Sequence, residues 1–222
     1  GDGQENLQTD VPNIYDGKIG IEFRGSSSQS FPKKPFGFET WDNKGEDIDV
    51  SLFGWPEEED WVLYASYNEK SLMHNVLTMK MGRKMGIYAS RTQYVEVIIN
   101  DEYQGVYVLM EKIKRDNGRV DIAKLDPDEN TGDDLTGGYI IKIDKGTGTD
   151  NGSWFRDHKV GNSASQRVRY YYEYPGEPSA QQRTYIQGYM DDFENALKAD
   201  NFTDPNQGYR KYIDVKSFIR IF

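Results

Sequence analysis

The sequence predicts an α+β protein, with strands dominating its first half, one patterned helix among them, and a second long helix after a late strand. Three observations carry this prediction. Apolar runs within 19–24, 36–40, 93–99 and 105–110 have the alternation or continuity of strands. Ser71 to Met85 sets Leu72, Met73, Val76, Leu77 and Met79 at helical spacing. Ser179-x-x-Gln182 is a capping-box pattern ahead of Ile186, Met190, Phe193 and Leu197, again at helical spacing.

In chain order, residues 1–18 are polar and read as a lead-in. Ile19 to Arg24 alternates as a strand, and Gly25 to Ser30 is a small polar turn. Pro35 lacks an N–H and suits the start of the strand holding Phe36, Phe38 and Thr40. Glu57, Glu58, Glu59 and Asp60 read as a solvated acidic loop before Trp61-Val62-Leu63-Tyr64. After the Ser71–Met85 helix, Gly86 sits where a left-handed C′ residue is wanted. Gln93–Ile99 and Gly105–Met110 form a hairpin about Asn100-Asp101-Glu102. Residues 114–136 read as a charged surface loop with one short strand, Tyr139 to Asp144 as a strand, and 145–167 as a long loop. Val168 to Tyr174 is an aromatic strand, and Asp214 is an N-cap ahead of Val215, Phe218, Ile219 and Phe222. The organisation expected is a lead-in over 1–18, a first lobe over 19–144, loop and aromatic strand over 145–178, and a helical segment over 179–222. The helical pattern is still running at Phe222, so the chain reads as a piece of a longer protein.

Composition excludes several function classes. There are 27 basic and 37 acidic residues, a net charge of -10, which argues against a nucleic-acid partner because neutralising phosphates needs a cationic surplus. No apolar run approaches the roughly 18 residues of a membrane-spanning helix. With 0 Cys there are no disulfides, thiolate metal sites or Cys nucleophiles, and 2 His cannot make a His-rich centre. Mean hydropathy is -0.82, but 16 Tyr, 10 Phe and 4 Trp supply the buried area that a folded core needs.

Several segments carry candidate chemistry. Arg24-Gly25-Ser26-Ser27-Ser28 follows a strand, and such a turn either wraps an anion with N–H and hydroxyl groups or is a plain exposed turn. It is not a Walker loop, since G-x-x-x-x-G-K-[ST] is absent. Lys33 and Lys34 flank the next strand, as phosphate ligands or as solvated charges. The hairpin return runs out through Met110-Glu111-Lys112-Ile113, where backbone groups can meet a flat ligand edge. Asp126, Asp128, Glu129, Asp133 and Asp134 do not match an EF-hand, and neither His74 nor His158 has triad spacing. Tyr170, Tyr171, Tyr172 and Tyr174, with Trp41, Trp55, Trp61 and Trp154, serve either strand and core packing or glycan stacking; packing is the simpler use.

The order of strand, Ser turn, Lys strand, helix, hairpin and charged exit resembles the small lobe of a kinase. Ile21-Glu22-Phe23-Arg24-Gly25-Ser26-Ser27-Ser28-Gln29, then Phe31-Pro32-Lys33-Lys34-Pro35, resembles the Arg-Gly-Asn/Ser-Ser…Lys-Lys signature of the CotH family, the spore-coat-protein-H-like atypical protein kinases. Asp60-Trp61-Val62-Leu63, Lys70-Ser71-Leu72, Arg91-Thr92 with Val95-Glu96-Val97, Gly105 to Ile113, Gly137-Gly138-Tyr139, and Tyr212-Ile213-Asp214 with Ser217-Phe218 fit the same family in order. The resemblance implies a secreted or spore-surface bacterial protein that uses ATP with Mg²⁺ or Mn²⁺ to phosphorylate Ser of a protein substrate whose identity is not legible. It places Arg24, Ser26, Ser27 and Ser28 over the phosphates, Lys34 or its neighbour Lys33 as the phosphate-binding lysine, and Met110, Glu111, Lys112 and Ile113 along the adenine edge. His74 stands before Asn75 where family members commonly carry Arg. The family's catalytic Asp (Asn-x-Asp-Gly-Tyr-like) and metal-binding Asp (Asp-Phe-Asp-like) blocks follow the helix that starts at Asp214, and neither occurs in these 222 residues. No catalytic residue or metal ligand is therefore assigned here, and this chain by itself is expected to be inactive. The alternative is a non-catalytic surface or glycan-binding module that keeps the fold.

Overall fold

Trp61, Val62 and Leu63 are consecutive and all buried, which requires a strand covered on both faces. The computed structural model, which describes residues 7–144, 152–158 and 166–219, provides that cover. The chain divides into two compact units, Gly1–Lys80 with Ser90–Lys112 and Met81–Ala89 with Ile113–Phe222. The first holds an antiparallel sheet of β1 (Lys18–Phe23), β2 (Phe36–Trp41), β3 (Asp60–Tyr64), β4 (Thr92–Ile99) and β5 (Glu102–Glu111), in the order β1-β2-β3-β5-β4. On one face Trp61 and Leu63 pack with Phe36, Leu52, Tyr107 and Leu109. On the other, Val62, Val108 and Met110 pack against Val76 of α1 (His74–Lys84). The α+β prediction is borne out.

Helix α1 is shorter than its pattern suggests. Leu72 has φ +58, so the chain is left-handed just where a helix from Ser71 would need right-handed residues. The Glu69 carboxylate holds this turn, accepting from the Ser71 N–H at 2.7 Å and the His74 N–H at 3.3 Å. Met73 and Leu77 consequently stay exposed, and Val76 is the buried anchor of the helix. At the other end Gly86 has φ +75, the Ile87 N–H reaches the Gly82 carbonyl and the Gly86 N–H reaches that of Arg83, a Schellman ending. The β4–β5 hairpin turns through Asn100 (φ +52) and Asp101 (φ +64), as a two-residue type I′ turn requires.

In the second unit β6 (Ile140–Ile143), β7 (Ser153–His158) and β8 (Gln166–Tyr174) form a sheet in the order β6-β8-β7. β7 lies inside the segment read as a long loop, whose stretches 145–151 and 159–165 fall outside the described residues. Trp154 accounts for β7: its ring lies 5.1 Å from Tyr170 and 4.8 Å from Tyr172, so one aromatic overrides the polar composition around it. Helix α3 (Ala180–Lys198) opens with both halves of the capping box, Ser179 and Gln182. Buried Gln182 also donates to the carbonyls of Asp126 at 2.8 Å and Glu129 at 3.2 Å. The 114–136 segment is therefore not a plain surface loop: Arg119 and Leu125 are buried, and a short helix, α2 (Gly132–Thr136), ends it. α4 (Val215–Ile219) starts at Asp214, whose carboxylate accepts from Lys216 and Ser217. Among the described residues no helix is long and apolar enough to cross a membrane.

Burial raises the hydroxyl pKa of Tyr107, Tyr172 and Tyr189, and raises that of Tyr139 to about 12. The folded state thus favours the neutral phenol over the unfolded chain, whose tyrosines titrate near 10. Their contribution to stability is complete below pH ~10 and is lost as pH rises towards ~12. Phenolate absorbance is expected to show a tyrosine class that ionises only with cooperative unfolding, and a single ordinary transition in denaturant. In α3, Ser179→Ala is expected to cost about 1 kcal/mol in chemical denaturation.

Candidate functional site

β1 ends at Phe23, and the Arg24 N–H still reaches the Pro35 carbonyl at 3.1 Å, so the connection from 25 to 34 is a closed excursion between two paired strands. Gly25 has φ +85, and a Cβ on it would fall 2.1 Å from Ser28 Oγ, so the tight entry requires glycine. Ser27–Ser30 then makes one 3-10 turn. Gln29 Nε2 donates to the Gly25 carbonyl at 2.5 Å and Ser30 Oγ to that of Ser27 at 2.7 Å. Arg24, Ser26 and Ser27 are exposed and Ser28 half-buried. The Phe31 ring stacks on Tyr67 at 5.1 Å and ties the turn's exit to the segment after β3.

Phe31 leaves the turn with extended backbone (ψ 150), and the chain bends over residues 31–33 before β2 begins at Phe36. The Lys33 and Lys34 side chains part company. Lys34 Nζ turns back and donates to the Gln29 carbonyl at 2.6 Å, beside the serine turn. Lys33 Nζ reaches 73 residues along the chain to the Val106 carbonyl, and lies 4.4 Å from the centroid of the Tyr107 ring. Burial lowers the Lys33 pKa below the ordinary lysine value. Tyr107 Oη in turn donates to the Lys34 carbonyl at 2.9 Å, so β5 holds Lys33 by its ammonium and Lys34 by its backbone.

The other predicted stretch lies where β5 leaves the sheet. Met110 is buried in the cluster against α1. The Glu111 carboxylate, 1% exposed, accepts from Arg91 Nη1 at 2.5 Å and from the Arg91 N–H at 2.7 Å. Lys112 Nζ pairs with Asp60 at 2.8 Å, and Ile113 is exposed. Met110, Glu111 and Lys112 thus spend their side chains on the protein itself. The structure returns Lys34 to the Gln29 carbonyl within the serine turn, sets Arg24 at the base of the same excursion by its N–H bond to Pro35, and draws Lys33 away to the β4–β5 hairpin.

The acidic run before β3 is not the solvated loop its composition suggests. Glu58 is 3% and Asp60 9% exposed, because β3 begins at Asp60 and Glu58 bridges to Val50. Asp49, Glu58 and Glu59 bring carboxylate oxygens within 4.8 Å of one another, the one such group among the described residues; Asp126, Asp128, Glu129, Asp133 and Asp134 form none. Sequence reading missed Arg91, Asp60 and Tyr107 as partners of the site residues, since nothing local marks a contact between distant strands. Trp61, Tyr170, Tyr171 and Tyr172 are buried, as packing requires and stacking on a glycan does not.

A family model described as CotH kinase protein matches residues 21–222. The chain belongs to the CotH kinase family. The match begins within β1 and takes in the serine turn, both lysines and the β5 exit, so every predicted site residue of this CotH-family chain lies inside it. No curated protein matches the chain.

Glu111→Ala removes the carboxylate facing the partly buried Arg91 guanidinium and is expected to cost about 3 kcal/mol. Lys112→Ala opens a pair whose lysine is 45% exposed and is expected to cost less than about 1 kcal/mol. Urea unfolding of the two variants checks the difference.

Proposed function

We propose that Arg24–Lys34 is a nucleotide-phosphate loop and that this chain serves transfer of phosphate from ATP to Ser of a protein substrate. The observation that carries the reading is Lys34 Nζ held 2.6 Å from the Gln29 carbonyl, beside an exposed serine turn entered through Gly25. The first N–H groups of a 3-10 turn have no partner inside it, and with the serine hydroxyls they suit phosphate oxygens. Lys34 adds a point charge and Arg24 a second cation at the turn's entry. Lys33 is the tether rather than the ligand, since its ammonium is committed to Val106 and Tyr107.

These groups fit the phosphates of ATP, and ATP when bound supplies the phosphoryl group. They do not fit Mg²⁺ or Mn²⁺, because residues 24–34 contain no carboxylate. Metal ligands and the group that orients the substrate hydroxyl are expected from the Asp-bearing blocks that the family carries after the Asp214 helix. The reading for this chain is therefore to hold and neutralise phosphates. A cell-surface or spore-surface location goes with it.

Calorimetric titration with ATP, with and without Mg²⁺ or Mn²⁺, tests the reading. Lys34→Ala is expected to weaken binding about tenfold or more, close to 1.4 kcal/mol, with little change in Tm. Lys33→Ala is expected to lower Tm and leave the affinity of the folded protein within about threefold. Absence of ATP binding under every condition overturns the nucleotide reading in favour of a non-catalytic module that keeps the fold.

A further inference from the structure

Among the described residues β1 is an edge strand of the first sheet, and it carries apolar side chains. Ile19, Ile21 and Phe23 are 42%, 45% and 59% exposed. The opposite edge is β4, whose register with β5 shifts between Val97 and Ile98, where Gln104 is the extra residue on the β5 side. β1 is paired without a break in register and contains no proline.

The backbone of β1 shows which groups face outward. The Arg24 N–H bonds to Pro35, and strand residues alternate, so Glu22, Gly20 and Lys18 also direct their N–H and C=O towards β2. Thr40, opposite Ile19, confirms the phase: its N–H goes to Glu59 and its C=O receives Ile48, both away from β1. Ile19, Ile21 and Phe23 therefore aim their backbone groups at the open edge.

We propose that β1 pairs antiparallel with β1 of a second copy of this chain, about a two-fold axis at Gly20. In that register Ile19 lies opposite Ile21 of the second copy, and the two exchange both N–H···O bonds because both are outward-facing residues. On the other face of the strand Lys18 lies opposite Glu22 of the second copy, twice by symmetry. Sliding by one pairing step in either direction sets Lys18 against Arg24 or Glu22 against Asp16, which are like charges. Only the Gly20-centred register satisfies charge and backbone phase over the length of the strand. Glu22 is exposed, and Lys18 Nζ donates to the exposed Asn43 carbonyl at 2.6 Å, an exchange that pairing with a carboxylate compensates. The contact is a strand edge, smaller than a standard interface, so a micromolar dimer is expected.

Sedimentation of the chain from about 1 to 500 μM reads the result. A monomer–dimer equilibrium is expected. Lys18→Glu and Glu22→Lys are each expected to weaken it about tenfold or more, and the double swap Lys18→Glu with Glu22→Lys to restore it. Ile21→Pro removes an outward N–H and no bond to β2, so it is expected to abolish the dimer while circular dichroism shows a folded protein. If Ile21→Pro unfolds, the charge swap decides alone. A monomer at every concentration overturns the proposal, and so does a dimer that ignores the charge variants.

Discussion

β5 has β3 on one edge and β4 on the other, and Tyr107, Val108, Leu109, Met110 and Glu111 are all buried. A strand enclosed on both edges and both faces cannot shift without exposing apolar surface to water on each side at once. Its position then fixes its neighbours. The Tyr107 hydroxyl holds the Lys34 carbonyl, the Val106 carbonyl holds Lys33, and Glu111 holds Arg91 at the start of β4. The candidate phosphate loop is exposed, but its far end is anchored to a strand buried on both faces.

That anchoring explains two adjacent lysines of unlike roles. An ammonium leaves water only where other groups replace its hydration, and for Lys33 a carbonyl and an aromatic face do so. Lys34 stays with the serine turn through its bond to the Gln29 carbonyl. A loop held this way is set before any ligand arrives, which lowers the entropy cost of binding. Gly25 has the complementary part, because its left-handed backbone leaves Ser28 Oγ the space that a Cβ would fill.

Much of the fold was legible because it rests on period. β1, β2, β4 and β5 of the first sheet, α3 with its capping box and the Asp214 cap all follow from local pattern or cap chemistry. What was not legible depends on distant contacts or single residues. The start of α1 is set by Glu69 and by a left-handed Leu72, which a periodic count reads as one more apolar helix position. β7 depends on Trp154 finding two tyrosines of β8, and Glu58 is buried by a bridge to Val50. The site divides in the same way. The serine turn and the lysine pair stand out as residues, but which lysine faces the turn depends on Tyr107 and Val106, and no spacing within 24–34 reveals it.

Hydrogen–deuterium exchange over 24–34, with and without ATP and Mg²⁺, tests the assignment of the phosphate loop most directly. Slower exchange in Gly25–Lys34 on adding ATP, with exchange in β8 and α3 unchanged, is the predicted result. Exchange in this segment that is indifferent to saturating ATP, or protection confined to other segments, would contradict it.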